Sequence, residues 1–287
     1  MKRIKSLIAL VLALGLMAVL LTACGGNNDA EVREKLETAQ EKLDAVTSMS
    51  YEISMDMDLS FSGAGLDGQT MSTHTTGTAR YIVDPMAMEM NLSVDTGASA
   101  TTDTLMYVMQ DGDQVTAYSS LDNGASWTKA TVDTSQLTQY DGKQSMDLYL
   151  ENIDQFKEAG SEAINGSQAT KYEGVIANDT ISEVMEASGA LIQMEQLGLD
   201  EETISSMYSE IGDIPVAIWI DDTSGLPVRY DLDMGNVMQG ILDKALSAIG
   251  TDASGVTFTV DQMMMTMTVT GVDNVSSVEL PEAAKAA

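Results

Sequence analysis

The chain has 287 residues, 14 basic against 44 acidic, for a formal net charge of −30. A chain this long buries a real core without disulfide staples, and its single cysteine cannot form an intramolecular one. Such an acidic body repels phosphate backbones and anionic membrane surfaces, so nucleic-acid binding is excluded and any membrane attachment has to be covalent.

The first residues read as a leader. Lys2, Arg3 and Lys5 form a basic start, and an apolar run follows from Leu7 to Leu21. That run is short for a bilayer span and ends in small residues, the pattern of a secretory signal. Leu21-Thr22-Ala23-Cys24 comes next, and Gly25-Gly26-Asn27 forms a flexible tether. An ordinary signal with a chance cysteine is the plainer alternative. The absence of a second cysteine weighs toward Cys24 as a modified residue.

Asn28 with Glu31 forms a capping box, and Val32, Leu36, Ala39, Leu43 and Val46 recur at helical spacing, predicting a helix over 29–47. The period then drops to two. Tyr51, Ile53, Met55, Met57, Leu59 and Phe61 share one face of a strand, and Glu52, Asp56 and Asp58 share the other. A Thr-rich strand is predicted over 70–82, and Met86, Met88, Met90, Leu92 and Val94 alternate in the next. Hairpins are expected at Asp111-Gly112, Asn165-Gly166 and Thr223-Ser224-Gly225. Helices are expected over 144–157, in pieces over 179–211, and over 234–249. Two closing strands, VTFTV and MMMTMTVT, are separated by a phase slip at Asp261-Gln262 that predicts a bulge or turn. Pro281 and an Ala/Lys tail end the chain.

The order of elements predicts an α+β fold: one large antiparallel sheet with an apolar face covered by helices. With no composition break, residues 29–287 read as a single domain after a leader (1–23) and a tether (24–28).

At three places the chain resembles a known group. These are the lipobox ending in Cys24, the Ile-Asp-Asp-Thr-Ser-Gly-Leu-Pro-Val-Arg hairpin at 220–229, and the Val-Glu-Leu-Pro-Glu ending at 278–282. The chain is similar there to uncharacterised Gram-positive lipoproteins related to the LolA/LppX-like lipoprotein-carrier superfamily. The resemblance implies a strongly curved half-barrel with helices on its concave face and acyl chains held between. It also implies a diacylglyceryl anchor on Cys24 and a palmitate-type acylated protein on the extracytoplasmic face of the cell membrane. Two acyl chains give durable anchoring where one is marginal. No catalytic residue is implied.

Chemistry-bearing motifs are sparse. His74 is the lone histidine, in a polar strand, so it reads as a surface residue without a metal cluster or dyad around it. Nucleophile-elbow, P-loop and dinucleotide motifs are missing, so no cofactor and no enzyme activity are expected. Asp111-Gly112-Asp113 begins like a calcium loop, but Val115 occupies the third ligand position.

Methionine is the distinctive residue, 21 in the chain against three phenylalanines. Met55, Met57, Met86, Met88, Met90, Met263, Met265 and Met267 fall on the expected inner face. Flexible thioethers suit an acyl-chain cavity, and they equally suit an ordinary core. Two functions follow. One is a membrane-anchored protein binding or carrying a lipid or lipid-linked ligand. The alternative is a non-enzymatic envelope interaction or maintenance protein with a solid core and a protein partner.

Overall fold

The computed structural model describes residues 30–63, 67–97, 101–133, 153, 155–178, 212–249 and 257–287. Among these residues, eleven antiparallel strands form one curved, unclosed sheet. They are β1 (Ser48–Ser62), β2 (Gln69–Ile82), β3 (Ala87–Asp95), β4 (Thr102–Asp111), β5 (Gln114–Ser120), β6 (Thr128–Asp133), β7 (Lys157–Ile164), β8 (Ser167–Ile176), β9 (Ile214–Asp221), β10 (Pro227–Asp233) and β11 (Thr257–Val272). Helix α1 (Ala30–Leu43) precedes the sheet, α2 (Gly235–Ile249) lies between β10 and β11, and a single-turn α3 (Glu282–Lys285) ends the chain.

The spatial order is β6-β5-β4-β3-β2-β1-β11-β10-β9-β8-β7. Two meanders therefore meet at the middle, where the first strand pairs with the last. The pairing is long, running from Met49 opposite Val272 to Ser62 opposite Thr257. The two edges, β6 and β7, come from the middle of the chain. All but Ile164 of β7 is exposed, and its charged Lys157, Glu158 and Glu162 discourage further strand addition.

The period-two pattern of β1 is realised in the packing. Ile53, Met55, Met57 and Leu59 are buried, and the residues between them are not. Their cross-strand partners on β11 are Met267, Met265, Met263 and Val260. The slip at Asp261 is a bulge: Asp58 faces Gln262 and Leu59 faces Val260, which leaves Asp261 as the extra residue. β11 is accordingly one strand where two were expected. Gln239 of α2 closes the backbone beside the bulge, accepting from Val260 N at 2.7 Å and donating to Phe258 O at 3.1 Å.

The face bearing the methionines, the inner face, carries the main core. Val32, Leu36 and Ala39 of α1 and Val237, Met238, Ile241 and Leu242 of α2 join the inward residues of β1, β3 and β8–β11 in one buried cluster. Each fully buried aliphatic or thioether side chain in it stabilises by about 1.5–3 kcal/mol. At β8 the cover comes very close. Gly174 faces inward opposite Val216, and the ring of Phe156 lies against its Cα where a side chain would otherwise stand.

The outer face is mostly polar but has a core of its own over β3–β5. Ala87, Tyr107 and Val278 are buried there, with Leu105, Met109, Tyr118, Trp127, Val275 and Leu280 packed around them. The segment after β11 thus crosses the back of the sheet. It is pinned where it turns: Asp273 accepts from Thr47 N at 2.7 Å and Thr47 Oγ1 at 2.8 Å, and Val275 N donates to Ser48 Oγ at 3.1 Å.

Several expectations change in detail. The first helix ends at Leu43, four residues early, because Val46 already turns the chain into β1. Met86 is not in a strand. It closes the turn after Asp84-Pro85, where its N donates to Gln110 Oε1 at 2.9 Å, and β3 begins at Ala87. The helix expected over 144–157 ends in extended backbone, with β7 starting at Lys157. The rest of that helix, apart from Ile153, the helices over 179–211 and the capping box at Asn28 lie outside the described residues. The Asn165-Gly166 hairpin is as expected, both residues having positive φ (52° and 83°), the two-residue turn that matches strand twist.

Candidate functional site

The methionine row comes first. Met263, Met265 and Met267 are at most 1% exposed, Met57 and Met90 2%, and Met55 5%. Met57–Met263 and Met55–Met265 are direct cross-strand neighbours, and Leu232 of β10 extends the row beside Met265. Met88 is partly buried against the same cluster, and Met86 is not part of it. Six of the eight sequence-designated methionines therefore form one contiguous buried surface. Cys24 lies outside the described residues.

Sequence reasoning missed a cleft of about 150 Å³ between α1 and the β8–β9 end of the sheet. Lys35, Thr38 and Lys42 line it from α1, and Thr170, Tyr172, Ile220 and Asp221 line it from the strands. The spacing of 35, 38 and 42 places them on one helix face, yet the sequence does not say what that face meets. Lys42, Thr170 and Asp221 are already engaged. Lys42 Nζ donates to Ser224 O, and Thr170 Oγ1 donates to Asp222 Oδ1 at 2.7 Å. The Ser167 hydroxyl and the Ser224 and Thr223 amides hold the Asp221 carboxyl below its ordinary range. Burial, reinforced by Glu158, Asp222 and Glu31, pushes the Tyr172 phenol up to about 12. The cleft offers donors and acceptors for a polar group, and its floor of Tyr172 and Ile220 belongs to the main core.

On the outer face, His74 Nδ1 stands 2.6 Å from Asp56 Oδ1, both side chains about half exposed. No group of three potential metal ligands occurs among the described residues. Trp219 is buried between two cations, with Lys171 Nζ at 5.0 Å and the Arg229 guanidinium at 4.5 Å from its ring centre. Arg229 in turn donates to both Asp231 oxygens, at 2.9 and 2.7 Å. That arrangement seals the back of β8–β10 and needs no ligand to explain it.

The profile of a family of unknown function, DUF6612, matches residues 28–287. The chain belongs to the DUF6612 family. No curated protein matches it in sequence. Among solved structures, this DUF6612 chain is similar to the lipoprotein LppX of Mycobacterium tuberculosis, at 12% identity and a TM-score of 0.44, over 88% of this chain and 100% of that one. It is also similar to LprF of Mycobacterium bovis, at 14% identity and a TM-score of 0.45, over 90% and 100%. A DUF1329 family protein from Desulfovibrio piger follows at 9% identity and a TM-score of 0.25, over 86% and 95%. No helix among the described residues of the DUF6612 chain is long and apolar enough to cross a membrane.

Proposed function

We propose that the protein is an extracytoplasmic lipoprotein, anchored through a diacylglyceryl group on Cys24, that shelters an acyl chain or similar apolar ligand between its helices and the methionine-rich face of its sheet. Residues 1–23 are the leader, 24–28 the tether and 29–287 one folded unit. In this reading the helices lie on the concave side of a half-barrel, with the ligand between the two layers.

The observation that carries this reading is the continuous row Met57–Met263, Met55–Met265 and Leu232 across three adjacent strands. Unbranched thioethers rearrange at little cost, so such a wall yields to a chain of variable shape where an Ile/Val wall does not. The reaction chemistry is nil: the site binds and releases. The test is native mass spectrometry of protein extracted gently from its own membrane. The expected result is a mass excess from a releasable lipid beyond the covalent anchor. Protein that is uniformly ligand-free refutes the reading. Separately, Cys24→Ser or globomycin treatment blocks leader processing and membrane retention if Cys24 is the anchor.

The near-complete burial of Met263, Met265 and Met267 favours a second reading. In it the row is a solid core and the protein acts through a partner at its surface. A dry, ligand-free core together with one reproducible protein partner selects that alternative.

A further inference from the structure

Three buried side-chain atoms among the described residues have no hydrogen-bond partner: Thr73 Oγ1, Thr75 Oγ1 and Trp219 Nε1. The tryptophan lies on the outer face beneath its two cations. The two threonines stand together on the inner face of β2. Thr73 is 4% exposed and faces Met57; Thr75 is 2% exposed and sits between Met55 of β1 and Val94 of β3. Residues two apart on one strand face put the hydroxyls about 7 Å from each other.

A buried hydroxyl without a partner is costly. Valine has nearly the same shape and the same liking for strands, so neither folding nor packing accounts for threonine at these positions. The hydroxyls need an acceptor that arrives from outside the protein, on a molecule that tolerates an otherwise apolar wall. A charged acceptor does not fit. The charged residues of β2 and β3, His74, Arg80, Glu89 and Asp95, all stand on the other face, Arg80 paired with Glu89 and His74 with Asp56, so neither strand sets a cation beside the threonines. A neutral carbonyl fits, because it accepts a hydrogen bond and brings neither charge nor proton into the core. The flanking Met55 and Met57 have the rotamer freedom to make room.

We propose that Thr73 and Thr75 donate hydrogen bonds to the carbonyl oxygens of an ester-linked diacyl lipid held against the inner face of β1 and β2. The proposal rests on the ligand-binding reading above and specifies the linkage chemistry of the ligand. A diacyl ester carries two carbonyls near one end of two apolar chains, matching two hydroxyls set in a methionine wall.

The test uses the full mature chain with Cys24→Ser, so that no covalent lipid interferes. It is loaded in parallel with a diacyl phosphatidylglycerol and with its dialkyl ether analogue of equal chain length, and retained lipid is counted by native mass spectrometry. The expected result is about a tenfold preference for the ester, from two hydrogen bonds of ordinary strength. Adding Thr73→Val and Thr75→Val removes the preference, and the lipid-free double variant melts about 2–4 °C higher because two unmet hydroxyls are gone. Equal retention of both lipids by the parent overturns the proposal while leaving lipid binding intact. A preference that survives the valines also overturns it, as does a double variant that melts lower. Retention of neither lipid by the parent refutes the ligand-binding reading itself, and the proposal falls with it.

Discussion

Replacing Gly174 by alanine is a direct measure of how tightly the cover presses on the sheet. A Cβ at 174 overlaps Cγ, Cδ2 and Cε2 of the Phe156 ring, and Phe156 is only 1% exposed, so the ring has no free space to retreat into. Overpacking of this kind costs about 1–3 kcal/mol. The stiffer unfolded chain returns about 0.4–1 kcal/mol, so Gly174→Ala is expected to lose about 1–2 kcal/mol net. Phe156→Ala alone leaves a cavity and costs about 3–5 kcal/mol. In the double variant the new methyl occupies part of that cavity. Its cost is expected to fall short of the sum by about 1–3 kcal/mol, the size of the overpacking term. Equilibrium urea unfolding of the mature Cys24→Ser chain reads all four proteins, with stability taken from the midpoint at constant m. Additivity within about 0.5 kcal/mol, or a stabilising Gly174→Ala, refutes the packing argument.

Asp122 accepts from Ser126 Oγ at 2.5 Å, Ser126 N at 2.8 Å and Ser120 Oγ at 2.7 Å, and these bonds hold its carboxyl at about 2. Its support for the loop is therefore present above the ordinary carboxylate range and lost as pH falls toward about 2. Carboxyl-carbon NMR is expected to show that midpoint, and a normal value near 4 contradicts the geometry. Tyr172 has the opposite sign: its folded phenol titrates at about 12 because of burial, so stability is intact below the ordinary tyrosine range near 10 and declines from there to about 12. Burial also raises Tyr51, so ultraviolet absorbance titration is expected to show several late-ionising tyrosines and one fewer in Tyr172→Phe; an unchanged late phase in that variant contradicts the geometry. Val278→Ala, 7% exposed against Ala87 and Tyr107, is expected to cost about 1–2 kcal/mol in urea unfolding, whereas a tail that merely trails in solvent gives no change.

Local pattern carried much of the fold. The alternation over 51–61 gave the inner face of β1, the phase slip located the Asp261 bulge, and Asn165-Gly166 located a tight hairpin, because each is a property of consecutive residues. Met86 shows the limit of counting parity: Asp84-Pro85 and Met86 are still in a turn, so the alternation begins in the sequence before the strand itself starts at Ala87. What pairs at long range was not legible. Nothing local in YEISM announces MTMTV as its neighbour. The outer core did leave a trace, since Leu105 to Met109 is apolar on both parities, the mark of a strand covered on both faces. Its cover, Val275 to Leu280, resembles an ordinary polar ending. The cleft at Lys35 and Lys42 and the orphaned Thr73 and Thr75 hydroxyls depend on what stands opposite them, which no single segment records.

The central pairing of β1 with β11 also sets a clock on biosynthesis. Partners such as Phe61 and Phe258 are separated by roughly 200 residues, so at about 5–20 residues per second β11 is made some 10–40 s after β1. In any chain that folds as it is made, β1 has through that interval β2 on one side and a bare hydrogen-bonding edge on the other, with Ile53, Met55 and Met57 awaiting their partners. A chain halted anywhere before residue 257 is left with that edge open in the middle of its sheet. Premature termination is therefore expected to yield aggregation or proteolysis, and not a smaller working half.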